Sequence, residues 1–252
     1  MMIPKTHPRY TSLMLREKIS QAMKRGIVHE TGLIAHGRGE TFDYLIGERT
    51  LPVTKGAEKT AAACLIDSTH PVISINGNVA ALAAKECCDL AKTVGAQLEV
   101  NLFHYDKERV LRVAKVLKEN GADAIRGLHP DKKIPDLDHS RANCCSQGIY
   151  KADVVVVALE DGDRCQALKN MGKTIIAIDL NPLSRTAQTA TITIVDNVVR
   201  ALPRITEWTK QISPDETQKI IQDYDNEKYL REVLDYITHR LRNFEKAGME
   251  LF

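Results

Sequence analysis

The residues able to do chemistry gather where short apolar runs give way to polar ones. PVISI (71–75) runs into Asn76-Gly77-Asn78, and DVVVVAL (153–159) into Glu160-Asp161-Gly162-Asp163-Arg164. KTIIAI (173–178) runs into Asp179-Leu180-Asn181-Pro182-Leu183-Ser184-Arg185-Thr186, and TITIV (191–195) into Asp196-Asn197. In the first cluster, glycine lets the backbone approach an anion closely and a following helix start favours negative charge. A tight turn with Asn78 as helix cap would have the same sequence. In the third, Asp179 can accept ribose hydroxyls, Arg185 offers a planar fork to phosphate, and Thr186 offers a hydroxyl. A solvated strand-to-helix loop is the plainer alternative. Asp161 and Asp163, beside Glu160, suit a Mg²⁺ held partly through phosphates, or an acidic first helical turn. Arg164 is then a phosphate ligand or an ion-pair partner.

Two earlier segments and one later segment add candidates. His36-Gly37-Arg38-Gly39-Glu40 sets an arginine between glycines, where it can reach into a cleft unobstructed. Arg9 and Arg16 sit near the start of a helix, and His139 and Arg141 follow a proline-containing loop. His139 is a candidate base, although an isolated histidine is more often structural or exposed. Neither a G-x-x-x-x-G-K-[ST] loop nor a G-x-G-x-x-G turn occurs, so a nucleotide site here lies outside the common motifs.

These clusters need a scaffold that brings strand ends together. The apolar runs, with LEVNLF (98–103) and ADAI (122–125), alternate with helical patterns over 79–93, 106–119 and 163–171. Continuous apolar strands between helices predict a Rossmann-like, doubly wound α/β fold with a mostly parallel sheet. The N-terminal segment 1–70 is read as helical, with helices over 12–25 (capped by Ser12, stopped by Gly26) and 57–67. Residues 71–196 form the sheet core, with a polar loop over 126–140. Residues 197–252 carry C-terminal helices over 197–211 and 214–247, the second packing on the core or making a dimer contact.

Bulk properties narrow the function classes. A chain of 252 residues with 43% hydrophobic content can bury one large core. A net charge of +2 does not suggest nucleic-acid binding, which concentrates basic charge on one face. No apolar leader opens the sequence, and its longest apolar run is far too short for a bilayer. The six cysteines form no C-x-x-C pair and read as small buried hydrophobes in a reducing cytoplasm.

Five segments together carry a family likeness. HPRYTSLMLREKI (7–19), GLIAHGRGETFDYLIGE (32–48), PVISINGNVAAL (71–82), EVNLF (99–103) and the stretch 159–197 closely resemble the archaeal 4-phosphopantoate–β-alanine ligase family, also called phosphopantothenate synthetase. The resemblance implies a homodimeric, cytoplasmic enzyme of coenzyme A biosynthesis. It would condense 4-phosphopantoate with β-alanine through an acyl-adenylate and release AMP and pyrophosphate. Carried over, the ATP contacts fall on Arg16, Arg38, Asp179, Leu180, Asn181, Arg185, Thr186, Asn197 and Val198. Arg38 and Arg185 would stabilise the transition state, with Mg²⁺ at Asp161 and Asp163. The substrate phosphate needs its own seat, for which Asn76, Gly77, Asn78, Arg141 and Arg164 are candidates. A nucleotide-binding regulatory module and a small-molecule kinase are the competing readings.

Overall fold

Strands form where β-branched residues are buried on both faces, and every residue of Pro71–Ile75 and Val154–Ala158 is buried. The computed structural model describes residues 3–243. Three helices come first: α1 (Tyr10–Lys24), α2 (Glu30–Ile46) and α3 (Thr54–Asp67). A first half-sheet follows, as β1 (Pro71–Ile75), α4 (Gly77–Val94), β2 (Gln97–Val100), α5 (Lys107–Glu119) and β3 (Ile125–Arg126). Two short strands, β4 (Lys132–Lys133) and β5 (Asn143–Cys144), pair antiparallel outside the main sheet. The second half runs through β6 (Val154–Ala158), α6 (Gly162–Asn170), β7 (Thr174–Ile178), α7 (Arg185–Thr189) and β8 (Ile192–Ile194). Helices α8 (Val198–Gln211), α9 (Thr217–Gln222) and α10 (Asn226–Arg242) complete the described chain.

The main sheet has the order β3-β2-β1-β6-β7-β8, and every pairing is parallel. This is a Rossmann-like α/β fold. Its two halves meet where β1 pairs with β6, in the register Val72 opposite Val155. The connections diverge at that point, which leaves a crevice beyond the strands' carboxyl ends. One core cluster joins Leu15 of α1, Ile73 of β1, Ile205 of α8 and Val233 of α10, so the flanking helices share the sheet's core.

Asp153 joins the amino ends of β1 and β6, opposite the crevice. Its carboxylate accepts hydrogen bonds from the Ser68 hydroxyl, both Thr69 donors (2.7 and 2.9 Å) and the His70 amide (3.0 Å), tying the α3–β1 turn to β6. Burial opposes ionisation, yet these donors hold the carboxyl well below its ordinary range. The folded-state pKa is therefore depressed. The stabilisation is present above the unfolded aspartate's pKa and is lost as pH falls through the folded one. Asp153→Ala is expected to cost about 2 kcal/mol or more and to flatten the acid limb of stability against pH in chemical denaturation.

The structure departs from the sequence expectations at three places. Helix α1 starts at Tyr10, with Arg9 rather than Ser12 as its cap. In keeping with the helical reading of 1–70, the HGRGE segment lies inside α2, which is capped by His29 and closed by Gly47 at φ 84°. The helix α4 is capped by Asn76, whose side chain accepts the Val79 amide at 3.0 Å, and not by Asn78. The helix expected over 214–247 breaks before Asn226, because Asp225 starts a new helix by accepting the Lys228 amide. There Tyr224 and Tyr229 turn inward on β8, donating to the Thr193 carbonyl and accepting the Val195 amide respectively. Residues 244–247 of that expected helix lie outside the described residues. All six cysteines are free and buried, and burial pushes the thiols of Cys64, Cys144 and Cys165 up to about 12. Among the described residues, no helix is long and apolar enough to cross a membrane.

Candidate active site

A cavity of about 630 Å³ opens beyond the carboxyl ends of β6, β7 and β8. After β7 the chain makes an Asx turn: Asp179 accepts the Asn181 amide (2.9 Å) and the Ser184 hydroxyl (2.5 Å), while Ser184 caps α7 through the Ala187 amide (2.9 Å). Burial pushes the Asp179 carboxyl up, against the donors of Ser184 and Asn181 and the charge of Arg38. The turn presents Leu180, Asn181, Arg185 and Thr186 to the cavity. Arg185 pairs with Asp163 at the rim, both largely exposed. Thr186 is buried and donates to the Glu160 carbonyl at 2.8 Å, locking the β7 loop to the β6 loop.

The opposite wall comes from α2 and the start of α8. Asn197 caps α8 through the Val199 amide (3.3 Å) and donates to Asp43 of α2 at 3.1 Å. Arg200 bridges Asp43 (2.5 Å) and Asp196 (2.6 Å), and against the opposing effect of burial these two carboxylates hold its pKa up. These contacts fix Asn197 and Val198 against the cavity, together with His36 and Arg38 of α2.

A second cavity of about 320 Å³ lies at the ends of β1, β2 and β6. The two cavities share one wall made of Ala35, Arg38, Leu159 and Asp161. Arg38 is exposed on that wall and forms no ion pair among the described residues. Leu159, just past β6, has φ 53°, a left-handed conformation unusual for a branched residue. The Asn76 side chain holds the turn by donating to the carbonyls of Ala158 (2.8 Å) and Leu159 (3.4 Å).

Beneath the shared wall lies a buried charge cluster. The fully buried Glu160 carboxylate binds Arg141 at 2.8 Å and also Arg164, while Arg141 reaches Asp161 at 3.1 Å and Asn101 at 3.1 Å. Arg164 donates to Ser74 of β1 at 3.2 Å and is 0% exposed. The expectation of Arg164 as a phosphate ligand is therefore corrected. It lines neither cavity and ties α6 to β1 beneath the shared wall.

The other expected residues divide as follows. Arg38, Asp179, Leu180, Asn181, Arg185, Thr186, Asn197 and Val198 all line the larger cavity. Arg16 does not; its Nε donates to both oxygens of Glu40 (2.9 and 2.8 Å), a cavity residue. Asn76, Gly77, Asn78 and Arg141 line the smaller cavity, but the side chains of Asn76 and Asn78 are occupied, the latter donating to the Gly32 carbonyl at 2.8 Å. His139 lines neither cavity and packs against Phe103, ring centroids 5.2 Å apart. It stands behind Phe103 of the smaller cavity, with its Nδ1 buried and without a hydrogen-bond partner among the described residues. Asp161 and Asp163 line the larger cavity, each paired with an arginine. Among the described residues, no three histidine, cysteine, aspartate or glutamate side chains gather as metal ligands. Sequence reasoning missed His29, His104 and Arg109 of the smaller cavity, and Asp43 of the larger.

The parallel sheet thus carries two adjoining, arginine-lined cavities beyond its strand ends, where open α/β folds bind their ligands. A family model described as phosphopantothenate/pantothenate synthetase matches residues 53–240. Three relatives carry the description 4-phosphopantoate–β-alanine ligase. That of Thermococcus kodakarensis is 51% identical over 251 residues, covering 98% of this chain and 96% of its own. Those of Methanospirillum hungatei (96% of this chain, 99% of its own) and Methanosarcina mazei (95% and 96%) are each 50% identical. The chain belongs to the phosphopantothenate/pantothenate synthetase family.

Proposed function

We propose that this protein condenses 4-phosphopantoate with β-alanine at the expense of ATP, giving 4′-phosphopantothenate, AMP and pyrophosphate. The observation that carries the reading is the shared wall: Arg38 and Asp161 face both cavities, so a group held in one can react with a group held in the other. The larger cavity takes the nucleotide. Asn181, Thr186, Asn197 and Val198 shape its walls, Asp179 stiffens the β7 turn, Arg185 stands at the rim, and Arg16 holds the cavity residue Glu40. The smaller cavity takes the acid, its carboxylate turned toward Arg38.

A carboxylate does not acylate an amine at neutral pH. Its oxygen attacks the α-phosphorus of ATP, forming an acyl–O–phosphorus bond and expelling pyrophosphate. The step brings two anions together, and the guanidinium of Arg38, free of any ion pair among the described residues, lowers that barrier. The amine of β-alanine, once it has lost a proton, attacks the acyl carbon and AMP leaves. A Mg²⁺ arriving with the nucleotide would find protein oxygens in Asp161 and Asp163. It needs no larger cage, since Mg²⁺ is commonly held by one or two carboxylates plus phosphates. It would supply neutralising charge at the phosphates. The family resemblance further implies a homodimer, for which sedimentation of the purified protein is expected to return twice the chain mass.

The test is the nucleotide product. Purified protein given ATP, 4-phosphopantoate and β-alanine is expected to release AMP and pyrophosphate only when both co-substrates are present. ADP would assign a kinase instead, and an intact nucleotide pool would assign a binding module.

A further inference from the structure

The smaller cavity has a second cationic pole that the reaction at Arg38 does not use. Arg109 stands in the first turn of α5 and is 9% exposed, yet it lines the cavity. Its Nε is buried without any hydrogen-bond partner. The nearby Asp106 carboxylate is engaged elsewhere. It accepts the backbone amides of Glu108 (3.3 Å) and Arg109 (3.0 Å) and the side chain of Arg112 (3.3 Å). A buried guanidinium with an unmet donor is costly unless something fills the place of its acceptor.

Three further features face the same space. His29 and His104 stack with ring centroids 3.9 Å apart and 19° between planes. His29 Nδ1 accepts the Thr31 amide at 3.3 Å, so the proton of the neutral ring sits on Nε2 as a donor. The amides of Gly77 and Asn78, in the first turn of the 18-residue helix α4, have no backbone acceptor. Against Arg38, Arg109 and Arg141, only Asp161 contributes a carboxylate to the cavity lining, and Arg141 already answers Asp161.

We propose that this pole is a seat for a phosphate monoester, in which Arg109 is the principal cation and His29, His104 and the start of α4 are auxiliary donors. The inference rests on the ligase reading for the identity of the ester, which is then the phosphate of the acid substrate. It makes Arg109 the residue that separates a phosphorylated acid from the same acid bearing a free hydroxyl. An oxyanion supplies the acceptor that Arg109 lacks, and a bare hydroxyl leaves the guanidinium's charge unanswered.

Two measurements test it. In steady-state assays, Arg109→Met is expected to raise KM for 4-phosphopantoate about 30-fold or more, while KM for ATP stays within about twofold. Preference for 4-phosphopantoate over pantoate should collapse. Arg109→Lys, which keeps the charge but loses the fork, should fall between. His104→Gln alters an exposed ring and carries the same test if Arg109→Met does not fold, with a several-fold rise in KM for the phosphorylated acid alone. Unchanged KM for 4-phosphopantoate in the folded variants would overturn the assignment.

The second measurement does not depend on turnover. Calorimetric titration of inorganic phosphate into protein saturated with ATP should show one site in the wild type, weakened at least tenfold in Arg109→Lys or His104→Gln. Equal phosphate binding by wild type and variants, or none by the wild type, contradicts the seat. If the wild type binds phosphate in this way but releases no AMP with any acid, the ligase reading fails and the seat stands.

Discussion

Arg38→Ala is expected to lower kcat for AMP formation by about 10²- to 10³-fold, the range seen when one preorganised donor to developing charge is removed. The physical reason is position. Arg38 is the one arginine lining both cavities, and it forms no ion pair among the described residues. Its charge is thus available where, in the proposed reaction, the carboxylate approaches the α-phosphate. The loss should fall mainly on kcat, because that repulsion is greatest in the transition state. ATP affinity by calorimetry should change by less than about tenfold, one charge-assisted contact among several. Arg185→Ala should have a smaller effect, since Arg185 is exposed and already paired with Asp163. A wild-type kcat for Arg38→Ala would remove the shared wall from the chemistry.

Glu160→Gln is expected to give the largest loss of stability. The change leaves Arg164, 0% exposed, without its carboxylate, and leaves Arg141, 3% exposed, with only the more exposed Asp161. Unpairing a buried charge in this way costs about 3–5 kcal/mol. For a chain of this size that is a fall in Tm of roughly 6–20 °C. The penalty belongs to the orphaned cation, so converting the whole cluster to well-packed apolar residues would not carry it. Glu227→Gln, which breaks an exposed pair with Arg231, should leave Tm unchanged in the same calorimetric scan. Activity should fall with Glu160→Gln as well, because Arg141 would lose the anchor that sets it beside Asp161.

The parallel sheet was legible because strands buried on both faces read as unbroken apolar runs. PVISI and DVVVVAL mark β1 and β6 to within a residue. The strand-end rule then led to Asp179–Thr186 and Asn197, since those positions are local in sequence. LEVNLF is a run of the same kind, and the chain past it leads to His104 and, one helical turn into α5, Arg109. Helix α2 was hidden by Gly37 and Gly39, each worth about 1 kcal/mol against a helix interior. Caps at both ends and packing against α1, α4 and α10 overrode that local preference. Arg164 looked like a ligand because a charged residue at a helix start normally faces solvent. Its burial against Glu160 and Ser74 depends on β1 lying beside β6, a contact between residues 90 positions apart.

ATP is expected beyond β7 and β8, with its α-phosphate at the wall shared by the two cavities. A crystal structure of the protein soaked with ATP tests it most directly. The expected result is a nucleotide lined by Asn181, Thr186 and Asn197, with the α-phosphate within hydrogen-bond reach of Arg38. A nucleotide seated elsewhere, with Arg38 turned away from its phosphates, would contradict the account.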